Sequence, residues 1–105
     1  MSLPLEGLKV LAFEQYGAGP FGSQYLSDLG AEVIKIEPAG TDGDYLRALG
    51  PYFIDEERNS ASSIFFQALN RNKKSICLDI KTKEGFKILK DLIKKSDVIL
   101  SLIHI

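Results

Sequence analysis

Two groups of residues in this chain have the types and spacing for anion chemistry. The first is Gly17-Ala18-Gly19-Pro20-Phe21-Gly22, a G-x-G-x-x-G series, with Glu37 twenty residues beyond Gly17. Between a strand and a helix, such a series leaves backbone N–H groups free for a diphosphate, and an acid ending the next strand can take a ribose diol. The bland alternative is a tight turn that needs glycines and binds nothing. The second group is Asn70-Arg71-Asn72-Lys73-Lys74. Arginine and lysine make charge-assisted bonds to phosphate; the alternative here is a solvated basic turn. Cys77 and His104 are the only residues of their kinds. A lone cysteine rules out an internal disulfide and a cysteine metal cluster. Lying in an apolar run, Cys77 reads as a buried small hydrophobe. No metal is expected.

These groups need elements to hold them. Leu8 to Phe13 is apolar and β-prone, a buried strand. Pro20 suits a first helical position. Phe21, Tyr25 and Leu29 recur at helical spacing as one apolar face of a helix that opens at Pro20 and that Gly30 stops. Val33 to Glu37 is a second strand. From Pro38 to about Ser62 glycines, prolines and acids break the pattern into a long loop, functional or mobile by its length. Tyr45, Leu46, Leu49, Tyr52 and Phe53 predict partial packing of that loop. Ser63 to Leu69 is read as helical, Ser75 to Ile80 as a strand. Thr82 caps a helix whose apolar stripe is Phe86, Leu89 and Ile93. Asp97 to Ile105 is a final strand with Val98-Ile99-Leu100 at its centre. Strands alternating with helices predict an α/β fold, a Rossmann-like parallel sheet with flanking helices. The tail Leu102 to Ile105 would be an exposed apolar edge, so an incomplete N-terminal part of a larger fold is expected.

The chain has 105 residues and a net charge of −1. Residues 1–70 carry four basic and ten acidic side chains, whereas residues 71–95 carry nine basic and three acidic. Lys83 to Lys95 reads as the solvated face of a helix. An acidic domain overall speaks against nucleic acid as partner. No apolar run reaches the roughly 18 residues of a membrane span, and the first residues lack the form of a signal peptide. A cytoplasmic protein is expected.

Three features sit poorly with an NAD site. Glu14, Gln15 and Tyr16 separate the first strand from Gly17; Pro38 leads from Glu37 into a loop; and the Asn70–Lys74 turn has no part in that fingerprint. A different pattern is present. Leu5-Glu6-Gly7-Leu8-Lys9-Val10-Leu11, Ala18-Gly19-Pro20, Leu26 through Pro38, Gly43-Asp44, Ala68 through Ser75, Leu78-Asp79-Ile80-Lys81 and Lys83-Glu84-Gly85 follow in order. With these motifs the chain resembles the family III CoA-transferases, the CaiB/BaiF family that includes formyl-CoA transferases. The resemblance runs from Leu5 to about Leu100. It implies the N-terminal, CoA-binding segment of a two-domain subunit that interlocks with a second subunit as a homodimer, with CoA across the strand ends. By motif position Tyr16, Gly17 and Ala18 line the CoA site, and Leu69, Asn70, Arg71, Asn72 and Lys73 hold the nucleotide end. The implied function is transfer of CoA from an acyl-CoA to a free carboxylic acid through a catalytic aspartate. That aspartate lies beyond the motifs present here, so the chain alone is expected to be inactive. A 2-methylacyl-CoA racemase of the same family and an NAD-binding dehydrogenase segment are the alternatives.

Overall fold

A computed structural model of the chain describes residues 2–54 and 63–102. Strand β1 (Lys9–Phe13) leads into helix α1 (Ala18–Asp28) and strand β2 (Glu32–Pro38). A short 3₁₀ turn (Tyr45–Ala48) and helix α2 (Ile64–Asn70) precede β3 (Lys74–Leu78), α3 (Lys83–Lys94) and β4 (Val98–Ser101). The four strands form one parallel sheet in the order β3-β2-β1-β4. The α/β architecture is the one the alternating pattern predicts.

Alternation along the strands sorts the core into two layers. Val10, Ala12 and Val33 join Ala31 on one face, with Leu26 of α1 packed against them. Leu11, Phe13 and Ile36 pack on the other face against Leu89 of α3. Central strands buried on both faces explain the unbroken apolar run of β1 after Lys9 and the mostly apolar centre of β2. Lys35 and Glu37 interrupt the run on the α1 side, yet both are buried.

Several expectations change. Helix α1 begins at Ala18, so Pro20 is its third residue rather than its predicted first. Its missing N–H still costs nothing, because no N–H in the first turn has a partner within the helix. Phe21 and Tyr25 point outward at 54% and 59% exposure. The buried side of α1 is Gly19, Pro20, Ser23, Gln24 and Ser27. Small and polar residues face inward because they bond a neighbouring turn. Cys77 is exposed, not buried, since β3 is an edge strand. In the long loop only Leu46, of the five residues expected to pack, is fully buried; Tyr45, Leu49 and Tyr52 are exposed. Asp55, Glu56 and Glu57 of that loop, His104 and the rest of the tail after Leu102 lie outside the described residues.

The predicted stops and caps are present. Gly30 stands at φ 105. Its N–H reaches Ser27 O and the next N–H, of Ala31, reaches Leu26 O, a Schellman closure. Thr82 Oγ1 accepts the Gly85 N–H at 3.0 Å and caps α3.

Candidate functional site

The carboxyl end of β1 and the start of α1 rest on a buried polar network. Glu14 follows β1 directly, Lys35 lies at the middle of β2, Asp44 precedes the 3₁₀ turn, and Lys73 precedes β3. All four side chains are 2% exposed or less. Lys35 Nζ donates to Asp44 Oδ2 at 2.6 Å and Asn70 Oδ1 at 2.8 Å. Lys73 Nζ donates to Glu14 Oε2 at 2.8 Å, and Ser23 Oγ donates to Glu14 Oε1 at 2.5 Å. Two cations and two carboxylates balance. Buried charge is tolerable only when paired and hydrogen-bonded in this way.

This network settles how the predicted basic turn is used. Lys73 Nζ also lies within hydrogen-bond range of Pro20 O, Leu69 O and Asn70 Oδ1. Burial pushes the Lys73 ammonium below its usual range, and the bonds to Glu14 work against that shift. Asn70 donates to Phe66 O while accepting from Lys35. Arg71 is 58% exposed, with Nη1 on Ala68 O and Nη2 on Asp28 Oδ2 at 2.7 Å. Its backbone carbonyl takes Gln24 Nε2 and Ser27 Oγ from α1. Asn72, at φ 62, donates to Ser27 O. Arg71 and Asn72 thus lie beside the last turn of α1, and Tyr16, Gly17 and Ala18 lie at its first. An 11-residue helix, about 16 Å long at 1.5 Å per residue, separates them. Asn70 and Lys73 bridge the two ends from beneath.

Glu37 is equally engaged. Arg47 binds it in fork geometry, Nε to Oε1 at 2.8 Å and Nη2 to Oε2 at 2.6 Å. Asp44 N–H donates to Oε1 and Ser75 Oγ to Oε2. Burial alone would raise this carboxyl. The bonds from Arg47, Ser75 and the Asp44 N–H outweigh it and hold the pKa at about 2. With four donors on two oxygens, little remains for a ribose diol.

Only one of the three fingerprint glycines is pressed from outside. A Cβ on Gly19 would stand 2.7 Å from Glu14 Cβ and 3.0 Å from Leu102 Cδ1. Gly17 and Gly22 have open space, and the left-handed residue of the turn is Tyr16, at φ 68. The N–H groups of Ala18 and Gly19 lie before the first intrahelical bond, Phe21 N to Gly17 O at 2.8 Å.

A cavity of about 380 Å³ opens at the carboxyl ends of β1, β2 and β3. Phe13, Ile36, Pro38, Leu78 and Ile80 give it apolar walls, and its polar lining is Gln15, Lys81 and three acids, Glu14, Glu37 and Asp79, of which Glu14 is paired with Lys73 and Glu37 with Arg47. In open α/β sheets this edge is where ligands bind. Lys81 is exposed and makes no ion pair among the described residues. Gln15 brings the cavity up to the Tyr16–Ala18 turn. None of the eight residues expected to touch CoA lines the cavity. The strand-end position of Lys81, in the Leu78-Asp79-Ile80-Lys81 motif, was the available signal. Lys35 inside an apolar strand was the signal for the network. Among the described residues no cluster of three or more His, Cys, Asp or Glu could hold a metal ion, and no helix is long and apolar enough to cross a membrane.

Comparison with known proteins agrees with this architecture. The chain is 47% identical over 95 residues to a succinyl-CoA:glutarate CoA-transferase of Homo sapiens, covering 90% of this chain and 20% of that protein. It is 39% identical over 104 residues to a formyl-CoA:oxalate CoA-transferase of Escherichia coli, covering 99% and 24%. A crystal structure of a CaiB/BaiF family protein from Brucella suis superposes with a TM-score of 0.85 at 42% identity, over 96% of this chain and 26% of that one. The chain therefore spans about a fifth to a quarter of the length of such relatives. The profile of CoA-transferase family III matches residues 5–103, and with the parallel sheet and the carboxyl-edge cavity in place, the chain belongs to that family.

Proposed function

We propose that this chain binds coenzyme A along the carboxyl edge of its sheet, as the CoA-binding part of an enzyme that moves CoA from an acyl-CoA to a free carboxylic acid. The observation that carries the reading is the strand-end cavity, with uncommitted Lys81 at its polar rim and the Tyr16–Ala18 turn beside it. CoA combines an apolar pantetheine arm with anionic phosphates, which suits apolar walls next to a cation. Tyr16, Gly17 and Ala18 contact the ligand. Leu69, Asn70, Asn72 and Lys73 act chiefly by shaping the floor beneath α1, and Arg71 is an exposed cation of that turn, as is Lys74. The acyl-bearing carboxylate belongs to a part of the protein outside these residues. The relatives named as transferases favour transfer over racemisation, and the engaged Glu37 disfavours an NAD role. On the family resemblance, the whole protein is a cytoplasmic homodimer that needs no metal.

The test is a single substitution. A charge-assisted hydrogen bond to phosphate contributes about 1.5–3 kcal/mol when well formed. Lys81→Ala should therefore weaken CoA binding about tenfold, one step of ~1.4 kcal/mol. The thermal midpoint should not move, because the Lys81 ammonium pairs with nothing described. Calorimetric titration checks both. Unchanged CoA affinity would remove Lys81 and its cavity from the site.

A further inference from the structure

One buried carboxylate ties the loop after β2 to the turn before α1. Asp44 Oδ1 accepts the Tyr16 N–H at 3.0 Å and the Leu46 N–H at 3.0 Å, while Oδ2 takes Lys35 Nζ at 2.6 Å. The first bond holds a bulky residue at φ 68, a region where non-glycine residues are uncommon and persist only when their surroundings over-determine them. The second starts the 3₁₀ turn at Tyr45. The two rings then stack, with centroids 5.2 Å apart and planes 6° apart, and both stay about half exposed. Lys35 is itself fixed by Asn70 Oδ1 at 2.8 Å, so the carboxylate has one defined orientation. The path of the chain through Tyr16 decides where Gly17, Ala18 and Gly19 present their N–H groups.

We propose that Asp44 is a positioning residue: by holding Tyr16 left-handed it sets the Tyr16–Ala18 turn in the shape that receives CoA, and Lys35 keeps Asp44 in place. This rests on the CoA reading above. A merely structural Asp44 would affect binding only as far as it affects folding. The two roles separate in paired variants. In Asp44→Asn the side-chain oxygen can still accept both N–H groups, but an amide N–H₂ now faces the Lys35 ammonium. The thermal midpoint should fall while CoA affinity stays within about threefold of wild type. Asp44→Ala should lose about tenfold or more in affinity. Glycine populates positive φ without help. Asp44→Ala should thus cost less than about threefold in affinity when made in Tyr16→Gly, whose own affinity is the reference because Tyr16 contacts the ligand, while the stability loss stays in place.

Calorimetry with CoA and thermal unfolding of wild type, D44N, D44A, Y16G and the D44A/Y16G double variant decide the matter. Affinity that falls in step with stability in D44N and D44A, or a loss from D44A as large in the Y16G background as in wild type, overturns the proposal. Should wild type bind no CoA, the CoA reading falls. The hold on Tyr16 is then read from its amide hydrogen exchange in the free chain. Faster exchange in D44A than in D44N supports the hold; equal exchange overturns it.

Discussion

Glu37 shows how a side chain changes meaning between sequence and structure. Its place at the end of β2 fits an acid that binds a ribose, but in the fold it is the hub for Arg47, Ser75 and the Asp44 N–H. Four donors arriving from two other segments, the Asp44–Ala48 turn and β3, cannot be read from a spacing of twenty residues, because only tertiary packing brings them together. The same bonds give the protein an acid-sensitive point. The folded carboxyl sits at about 2 and the ordinary value is 4.5. A depressed folded pKa stabilises fully above the unfolded value, and that contribution is lost as pH falls through the folded one. Urea unfolding across the interval from 4.5 to 2 should show the wild type losing stability more steeply than Glu37→Gln. At neutral pH the variant should already be the weaker protein. Parallel curves would mean that the Arg47–Glu37 fork contributes nothing to stability.

At the scale of elements, helix α1 shows what periodicity can and cannot tell. The stop at Gly30 and the cap at Thr82 were legible, because each depends on its own residue and the few beside it. The buried side of α1 was not. Phe21, Tyr25 and Leu29 make the obvious apolar face, yet Ser23, Gln24 and Ser27 go inward, because the carbonyls of Arg71 and Asn72 and the carboxylate of Glu14 wait for them there. Partners 44 to 47 residues away, as those of Gln24 and Ser27 are, leave no trace in a window of eleven. The glycines divide on the same ground. Gly17→Ala and Gly22→Ala should change stability little, about 0.5 kcal/mol or less, since a methyl there meets open space. Gly19→Ala must push α1 away from Glu14 and Leu102, at about 1–3 kcal/mol. Thermal unfolding of the three variants would check this, and equal losses in all three would show that the close approach at Gly19 is not what holds α1 down.

On the scale of the whole molecule, the parallel sheet and its flanking helices were readable because alternating β and α segments leave few other folds open, whereas the strand order came only with the structure. Family membership was readable as well, since a series of motifs in fixed order carries far more information than one glycine turn. Which basic side chains are exposed, and the cavity at the strand ends, were not. Basic residues on a turn look alike in sequence whether they point outward, as Arg71 does, or are buried, as Lys73 is. The cavity between the strand ends comes from residues 13–15, 36–39 and 78–81 meeting only in the folded sheet. The central claim is the proposal that this sheet edge receives CoA. CoA and NAD share an adenosine diphosphate, but only CoA adds a 3′-phosphate for Lys81 or Arg71, and Glu37 is not free to favour the NAD diol. The most direct measurement is calorimetric titration of the chain with CoA and, separately, with NAD. CoA should bind at least about tenfold more tightly, a difference of ~1.4 kcal/mol or more; NAD binding as tightly as CoA, or more tightly, would contradict the account.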